Sequence, residues 1–305
     1  MMRLSLSALL LLLTLTPCFA AAKDLRATDS LGRTVVLSRP PKRIVSWAPN
    51  ITEILFALGL GSRAVGVTSY CDFPAQAERL PKVGSITAPD VERTLALHPD
   101  IIIGSRLNPA ALYRFLEDFG IRSFAVDAPE TIEGVFAIIE AIGKITGSSD
   151  KAAALNRSMG SRLDRIRSLT KRLPASQRPS TLLIYQLDPL WTAGSDTFAD
   201  EAIRIAGGTN AAADVRGYAK YSLETVLARA PQVILVTPMK ASDAPAARRR
   251  VMSYAPFRKL PAVRQGRVYA VNPDWIDRAG PRLVQGVEQI ARLLHPEIFE
   301  RGRAR

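Results

Sequence analysis

Histidine and cysteine, the side chains most used in metal and acid–base chemistry, are scarce in this 305-residue chain. Only two histidines occur, and His98 and His295 each directly precede a proline at a predicted helix end, where interaction with the helix dipole accounts for them. Two such histidines, with no third, argue against a site for a bare zinc or manganese ion. No G-x-S-x-G elbow is present, and no glycine-rich phosphate loop follows a predicted strand. What the chain does place with care is a pair of carboxylates. Residues 90–104, DVERTLALHPDIIIG, are written again at 222–236 as SLETVLARAPQVILV. Glu92 aligns with Glu224, Leu95 with Leu227, Pro99 with Pro231 and Ile101–Ile103 with Val233–Leu235, all 132 positions apart. Each glutamate falls in the first turn of a predicted helix, a position the macrodipole favours. The same helix-and-strand phrase is thus written twice in one register.

Stepping outward, the elements that must hold these residues follow from hydrophobic pattern. Residues 1–20 read as a secretory signal peptide: one arginine, an apolar run from Leu4 to Leu15 and a small-residue exit at Cys18-Phe19-Ala20. Lipid attachment at Cys18 is the alternative, for which Leu15-Thr16-Pro17 is a poor context. No later segment approaches the roughly 20 apolar residues a membrane span needs. A mature chain beginning near Ala21 is thus expected to be exported and soluble, with Cys71 its one thiol and no internal disulfide. The net charge of +13 comes from dispersed bases such as Arg162, Arg165 and Arg248–Arg250, without an aromatic ladder, so nucleic acid is not expected as a partner.

From Arg43 the pattern alternates. RIVSWAP is a strand, NITEILFALGLG a helix with Asn50 and Glu53 spaced as a capping box, and AVGVTS a second strand. A helix ending near Pro99 leads into the strand Ile101–Ile103, and a helix around Leu112–Phe119 into the strand GIRSFAVD. Residues 147–173 carry no strand signal; Leu155, Met159, Leu163, Ile166 and Leu169 recur at helical spacing. A helix of about 22 residues there would span roughly 33 Å. Alternation then restarts with STLLIYQL, the helix near Phe198, the second copy of the repeated phrase, GRVYAVNPDWIDRAGP and a final helix RLVQGVEQIARLL. The fold class is α/β: two Rossmann-like lobes, 24–146 and 174–305, with parallel sheets. They are joined by one long helix, 147–173, with a ligand cleft between them. One stiff helical connector implies modest opening and closing.

Several spaced motifs in order resemble the periplasmic substrate-binding proteins of ABC importers, in the single-helix-linked group that serves cobalamin, ferric siderophores and haem. They include RIVSWAPNITEILFALGLGSRAVGVTSYCDFPAQ, LPKVGSITAPDVERTLALHPDIII, AGGTN, SLETVLARAPQVILV and VNPDWIDRAGPRL. Within the group, SYCDFPAQ, VERTLALHPD, LETVLARAPQ and DWIDRAGPR are most similar to the cobalamin binders. The resemblance covers residues 33–294 and implies a non-enzymatic monomer with no cofactor of its own. Such a protein captures cobalamin, or alternatively a ferric siderophore or haem, and delivers it to a permease dimer driven by an ATPase. A receptor that signals without transport is the third class. The resemblance further implies that Glu92 and Glu224 dock on permease arginines, where ion pairing steers and registers the complex. Tyr70, Tyr185, Tyr218, Trp191, Trp275 and Trp47 are the implied cleft aromatics, since large planar rings suit a flat macrocycle. Asp274 and Arg278 are placed either to hydrogen-bond cargo amides or a phosphate, or to pair with each other at i, i+4. Cys71 is a small buried residue or, on a sharper reading, a thiolate ligand to the cargo metal. Ile86 stands where cobalamin-binding relatives carry a cleft tryptophan, six residues before the docking glutamate, and removes one stacking surface.

Overall fold

The computed structural model describes residues 24–299. The expected signal peptide and Cys18 lie outside the described residues. An antiparallel hairpin, β1 (Leu25–Thr28) and β2 (Thr34–Leu37), opens the chain. Four parallel strands follow: β3 (Ile44–Ser46), β4 (Ala64–Val67), β5 (Ile101–Ser105) and β6 (Ser123–Val126), ordered β4-β3-β5-β6. The second sheet comprises β7 (Ser180–Leu187), β8 (Leu190–Ala193), β9 (Thr209–Asn210), β10 (Tyr218–Lys220), β11 (Val233–Val236) and β12 (Val268–Ala270). Its order is β10-β8-β7-β11-β12, with β9 beside β7. Here the expectation of parallel strands throughout needs correction. β8 turns straight back along β7, and β10 pairs antiparallel with β8. Only two residues separate β7 from β8, and a parallel return would need a crossover of a dozen residues or more.

The helix between the sheets runs Ser149–Thr170, 22 residues, and buries Met159, Leu163 and Ile166. Leu169 shares the sequence spacing but is 41% exposed. An unforeseen neighbour, the helix Ile132–Thr146, packs beside it, and Gly147 in the left-handed region makes the corner between them. Strand alternation sends side chains to two cores. Ile44, Ile101, Ile103, Leu183, Val233 and Leu235 face a single continuous core that also takes in Met159, Leu163 and Ile166. Val45 and Ile102 face an outer core of the first lobe, while Leu182, Ile184 and Ile234 face that of the second. The lobes are therefore joined by shared apolar packing as well as by chain.

The repeated phrase is a repeated structure. Val91–Ala96 and Leu223–Arg229 are helices capped by the side chains of Asp90 and Ser222, which accept from Arg93 and Thr225 backbone N–H groups. Both segments then pass through a left-handed residue, His98 and Ala230, each with φ of 45°. Pro99 and Pro231 follow, and then the buried strands β5 and β11. A non-glycine residue held there costs about 1–2 kcal/mol, and glycine returns about 0.5–1 kcal/mol of that as chain entropy. Ala230→Gly is accordingly expected to raise the unfolding free energy by about 0.5–1 kcal/mol. Urea denaturation would check it: an unchanged or lower midpoint means the turn is unstrained.

Candidate functional site

The C-terminal ends of β3, β5, β6, β7, β11 and β12, or the loops after them, line an opening between the lobes, the place where open α/β sheets receive ligands. Two hollows adjoin there. One, of about 470 Å³, is walled by Tyr185, Trp191, Tyr218, Met239, Asp274 and Arg278 of the second lobe. The other, of about 290 Å³, spans the lobes: Asn50, Ile86, Leu107 and Glu130 face Tyr218, Asp277, Arg278 and Ala279. Tyr218, Asp277 and Arg278 border both, so the hollows form one cleft. A comparable hollow along the linking and final helices shares no residue with it, and its Arg162 is held bidentately by Glu288. We therefore place the candidate site in the cleft.

Tyr185, at the end of β7, packs edge-on against Tyr218 of β10, with ring centroids 5.5 Å apart. The Tyr185 hydroxyl is buried and has no hydrogen-bond partner in good geometry, although Asp277 and Tyr218 are its polar neighbours. A buried orphan donor at the wall of a hollow is a place for a ligand acceptor. Burial raises the Tyr185 phenol well above its usual range and Tyr218 to about 12, so both stay neutral donors. Asp277 is an exposed residue, but the protein atoms crowded about its carboxyl partly desolvate it and push it up to about 6; the nearby Tyr185 hydroxyl opposes the rise and the charge of Asp274 adds to it. Trp191 lies on β8 rather than in the loop after β7, and it reaches the same hollow.

Other candidates fall elsewhere. Trp47 does not face the cleft. It continues the alternation of Val45 onto the outer face, is fully buried against Tyr113, and donates from Nε1 to Thr94 Oγ1 at 3.1 Å. Cys71 is also buried, with its Sγ between the hydroxyls of Thr52 and Thr68 at 3.2 and 3.1 Å, which excludes it as a ligand to a cargo metal in the cleft. Tyr70, 64% exposed on the loop after β4, and half-buried Trp275 on the short helix Pro273–Ile276 border neither hollow. Ile86 lines the interlobe hollow, and its carbonyl accepts from Asn108 Nδ2. Asp274 and Arg278 do pair, at 3.1 Å, but Arg278 also reaches Asp72 and Glu53 of the other lobe. Asn50 and Glu53 form no capping box. The helix Pro49–Ala57 is capped from Ala48 without a side chain, and both residues reach across the cleft floor instead.

Leu107 and Met239 were legible but overlooked. They extend the repeated register by a few residues beyond each strand, still 132 apart, and lie 61% and 95% exposed on opposite sides of the cleft. Exposed apolar side chains concentrated at a cleft mark a binding surface. Glu92 and Glu224 are both exposed second residues of their helices, and among the described residues neither forms an ion pair. Ser222 Oγ donates to Glu224 at 2.6 Å and holds that carboxyl below its usual range. No group of three or more metal-ligating side chains occurs among the described residues, and no described helix is long and apolar enough to cross a membrane.

Comparison with known proteins places this geometry in context. The family model described as periplasmic binding protein matches residues 44–275. The uncharacterised ABC transporter substrate-binding lipoprotein YvrC of Bacillus subtilis (strain 168) is 33% identical over 276 residues, covering 89% of this chain and 86% of its own. The vitamin B12-binding protein of Yersinia pestis (strain Pestoides F) is 30% identical over 254 residues, covering 82% and 85%. The periplasmic haem-binding protein RhuT of Roseiflexus sp. RS-1, solved without ligand, is similar with a TM-score of 0.74 at 28% identity, over 84% of this chain and 98% of its own.

Asp277 offers a direct check on the cleft electrostatics. Its folded value lies above the usual 3.8 of a free aspartate, so its contribution favours folding below about pH 4 and is lost as pH rises through about 6. Because its carboxylate touches cleft water, the neutral-pH cost is discounted to about 1 kcal/mol. Asp277→Asn should raise the thermal midpoint by about 2 °C at pH 7.5 and leave it unchanged at pH 4. An equal shift at both pH values would mean that the carboxyl is not perturbed.

Proposed function

We propose that this chain, which belongs to the periplasmic binding protein family, captures a corrinoid of the vitamin B12 type between its lobes and delivers it to an ABC permease. The observation that carries the corrinoid reading is the charge of the cleft. Asp274, Asp277 and Glu130 line it against a single cation, Arg278, which is already engaged by Asp72, Asp274 and Glu53. Haem brings two propionates and ferric catecholates bring net negative charge, and packing either against these carboxylates without a free arginine is unfavourable. The amide fringe of a corrinoid is uncharged and offers donors to Asp274, Asp277 and Glu130 and acceptors to the tyrosine hydroxyls. Tyr185, Trp191 and Tyr218, with Leu107 and Met239, supply apolar surface for the ring; Tyr70 and Trp275 are further members if the lobes close on it.

Similarity to the Yersinia pestis vitamin B12-binding protein supports this reading. A second reading, haem or a ferric siderophore, draws on the likeness to RhuT and on Ile86 in place of a tryptophan. Delivery follows from Glu92 and Glu224: a two-lobed protein that meets a two-subunit channel needs the same charge on each lobe. The signal-like N-terminus supports export to the periplasm as a monomer, and the likeness to a lipoprotein keeps anchorage through Cys18 as the alternative form.

Calorimetry of the mature chain with cyanocobalamin and, separately, haemin tests the cargo, with visible spectra recorded alongside. Sub-micromolar one-to-one binding of cyanocobalamin and none of haemin is expected; the reverse pattern overturns the corrinoid reading. The Glu92→Lys, Glu224→Lys double variant should bind cyanocobalamin with unchanged affinity yet lose uptake at least tenfold in cells carrying the cognate importer, about 1.4 kcal/mol of docking free energy or more. Normal uptake would remove the docking assignment.

A further inference from the structure

The two lobes touch through a compact cluster of charges at one flank of the cleft. Glu53 comes from the helix Pro49–Ala57 of the first lobe and is 3% exposed. Arg282, at the head of the helix Leu283–Leu294, donates to both of its oxygens, from Nε at 2.9 Å and Nη2 at 2.6 Å. The Arg282 guanidinium also lies 3.9 Å over the Phe73 ring of the first lobe. Outside this pair, Arg278 forks onto Asp72 at 2.5 and 3.0 Å, again across the lobes. Asn50 adds a bond to the Ala279 carbonyl at 3.2 Å.

The two ion pairs differ in what separation would leave behind. Glu53 and Arg282 are both buried, so parting them strands two charges away from water, a steep penalty. Asp72 is different: half of its side-chain surface is exposed, and water can replace Arg278 at little cost. Arg278, when it leaves Asp72, keeps Asp274 and Glu53. The outer pair can open without orphaning either partner, whereas the inner pair cannot. Arg278 borders both hollows, so cargo held between the lobes abuts the same guanidinium.

We propose that Asp72, acting through Arg278, is a positioning residue for cargo capture: their exchangeable pair sets the width of the cleft about a fixed Glu53–Arg282 pivot. This rests on the capture reading and not on the identity of the cargo. The linking helix then supplies one joint between the lobes and the buried pair a second, and the outer pair closes the remaining freedom. Permease-driven release requires the outer pair to break while the pivot stays closed.

Spin labels at Ala96→Cys and Ala228→Cys, exposed on matching helices of the two lobes, report the interlobe distance in cargo-free mature protein. Asp72→Asn in that background should lengthen and broaden the distance distribution, and Asp72→Glu should restore it. Salt at about 1 M, which shortens the screening length to roughly 3 Å, should broaden the distribution of the parent but not of Asp72→Asn. Where cyanocobalamin binds, its dissociation from Asp72→Asn should quicken about two- to fivefold, as loss of one half-exposed pair predicts. A distribution for Asp72→Asn that superimposes on the parent, with the same response to salt, overturns the proposal. Failure of cyanocobalamin to bind counts against the corrinoid reading alone, because the distance measurement needs no cargo.

Discussion

Glu53 is buried in the first lobe, and Arg282 meets its carboxylate with two hydrogen bonds across 229 positions of chain. Much of the cleft depends on that meeting. It brings the start of the helix Pro49–Ala57 against the segment 278–282, so that a side chain at Gly280 would touch Glu53 and Asn50. It also brings Asn50 opposite Arg278 and Ala279 at the interlobe hollow. The pair need not add net stability, since desolvating two charges offsets much of their attraction. Its contribution is to specify one arrangement of two lobes whose shared apolar core would tolerate others.

On that frame the two lobes present the same device from opposite sides. Each has a capped helix with an exposed glutamate at its second position, a left-handed turn before proline, a buried parallel strand and an exposed apolar residue past the strand end. The strand ends point loops into the cleft, while the helices that run back alongside them begin near the same end, where Glu92 and Glu224 sit. The cleft lining at Leu107 and Met239 and the exposed glutamates thus belong to adjacent segments of one repeated unit.

The interior of the cleft offers hydrogen-bonding groups around an apolar lining. Neutral tyrosine hydroxyls, a carboxyl with its titration raised toward neutrality and a guanidinium enclosed by carboxylates are groups that donate and accept hydrogen bonds around an apolar face. None is poised as a nucleophile beside a base, and the one described thiol is sealed among threonines. Net charge on the whole chain, strongly positive, says little about this site, whose charged lining groups are Asp274, Asp277, Glu130 and Arg278.

By itself the sequence determined the alternation of strand and helix, the long helix between two similar halves and the paired glutamates. These are encoded locally, by periods of 2 and 3.6 and by a repeat at fixed offset. Even Leu107 and Met239 were within reach, a short step along that same register. Tertiary structure alone decided which face each residue meets. Trp47 follows a strand exactly as a cleft residue would, yet the pleat turns it to the outer core. Asn50 and Glu53 have capping-box spacing, yet their partners lie in the other lobe. The fork of Arg278 onto Asp72 belongs to the same class. Local pattern shows which side chains travel together, but pairings between residues some two hundred positions apart exist only once two independently formed lobes have packed.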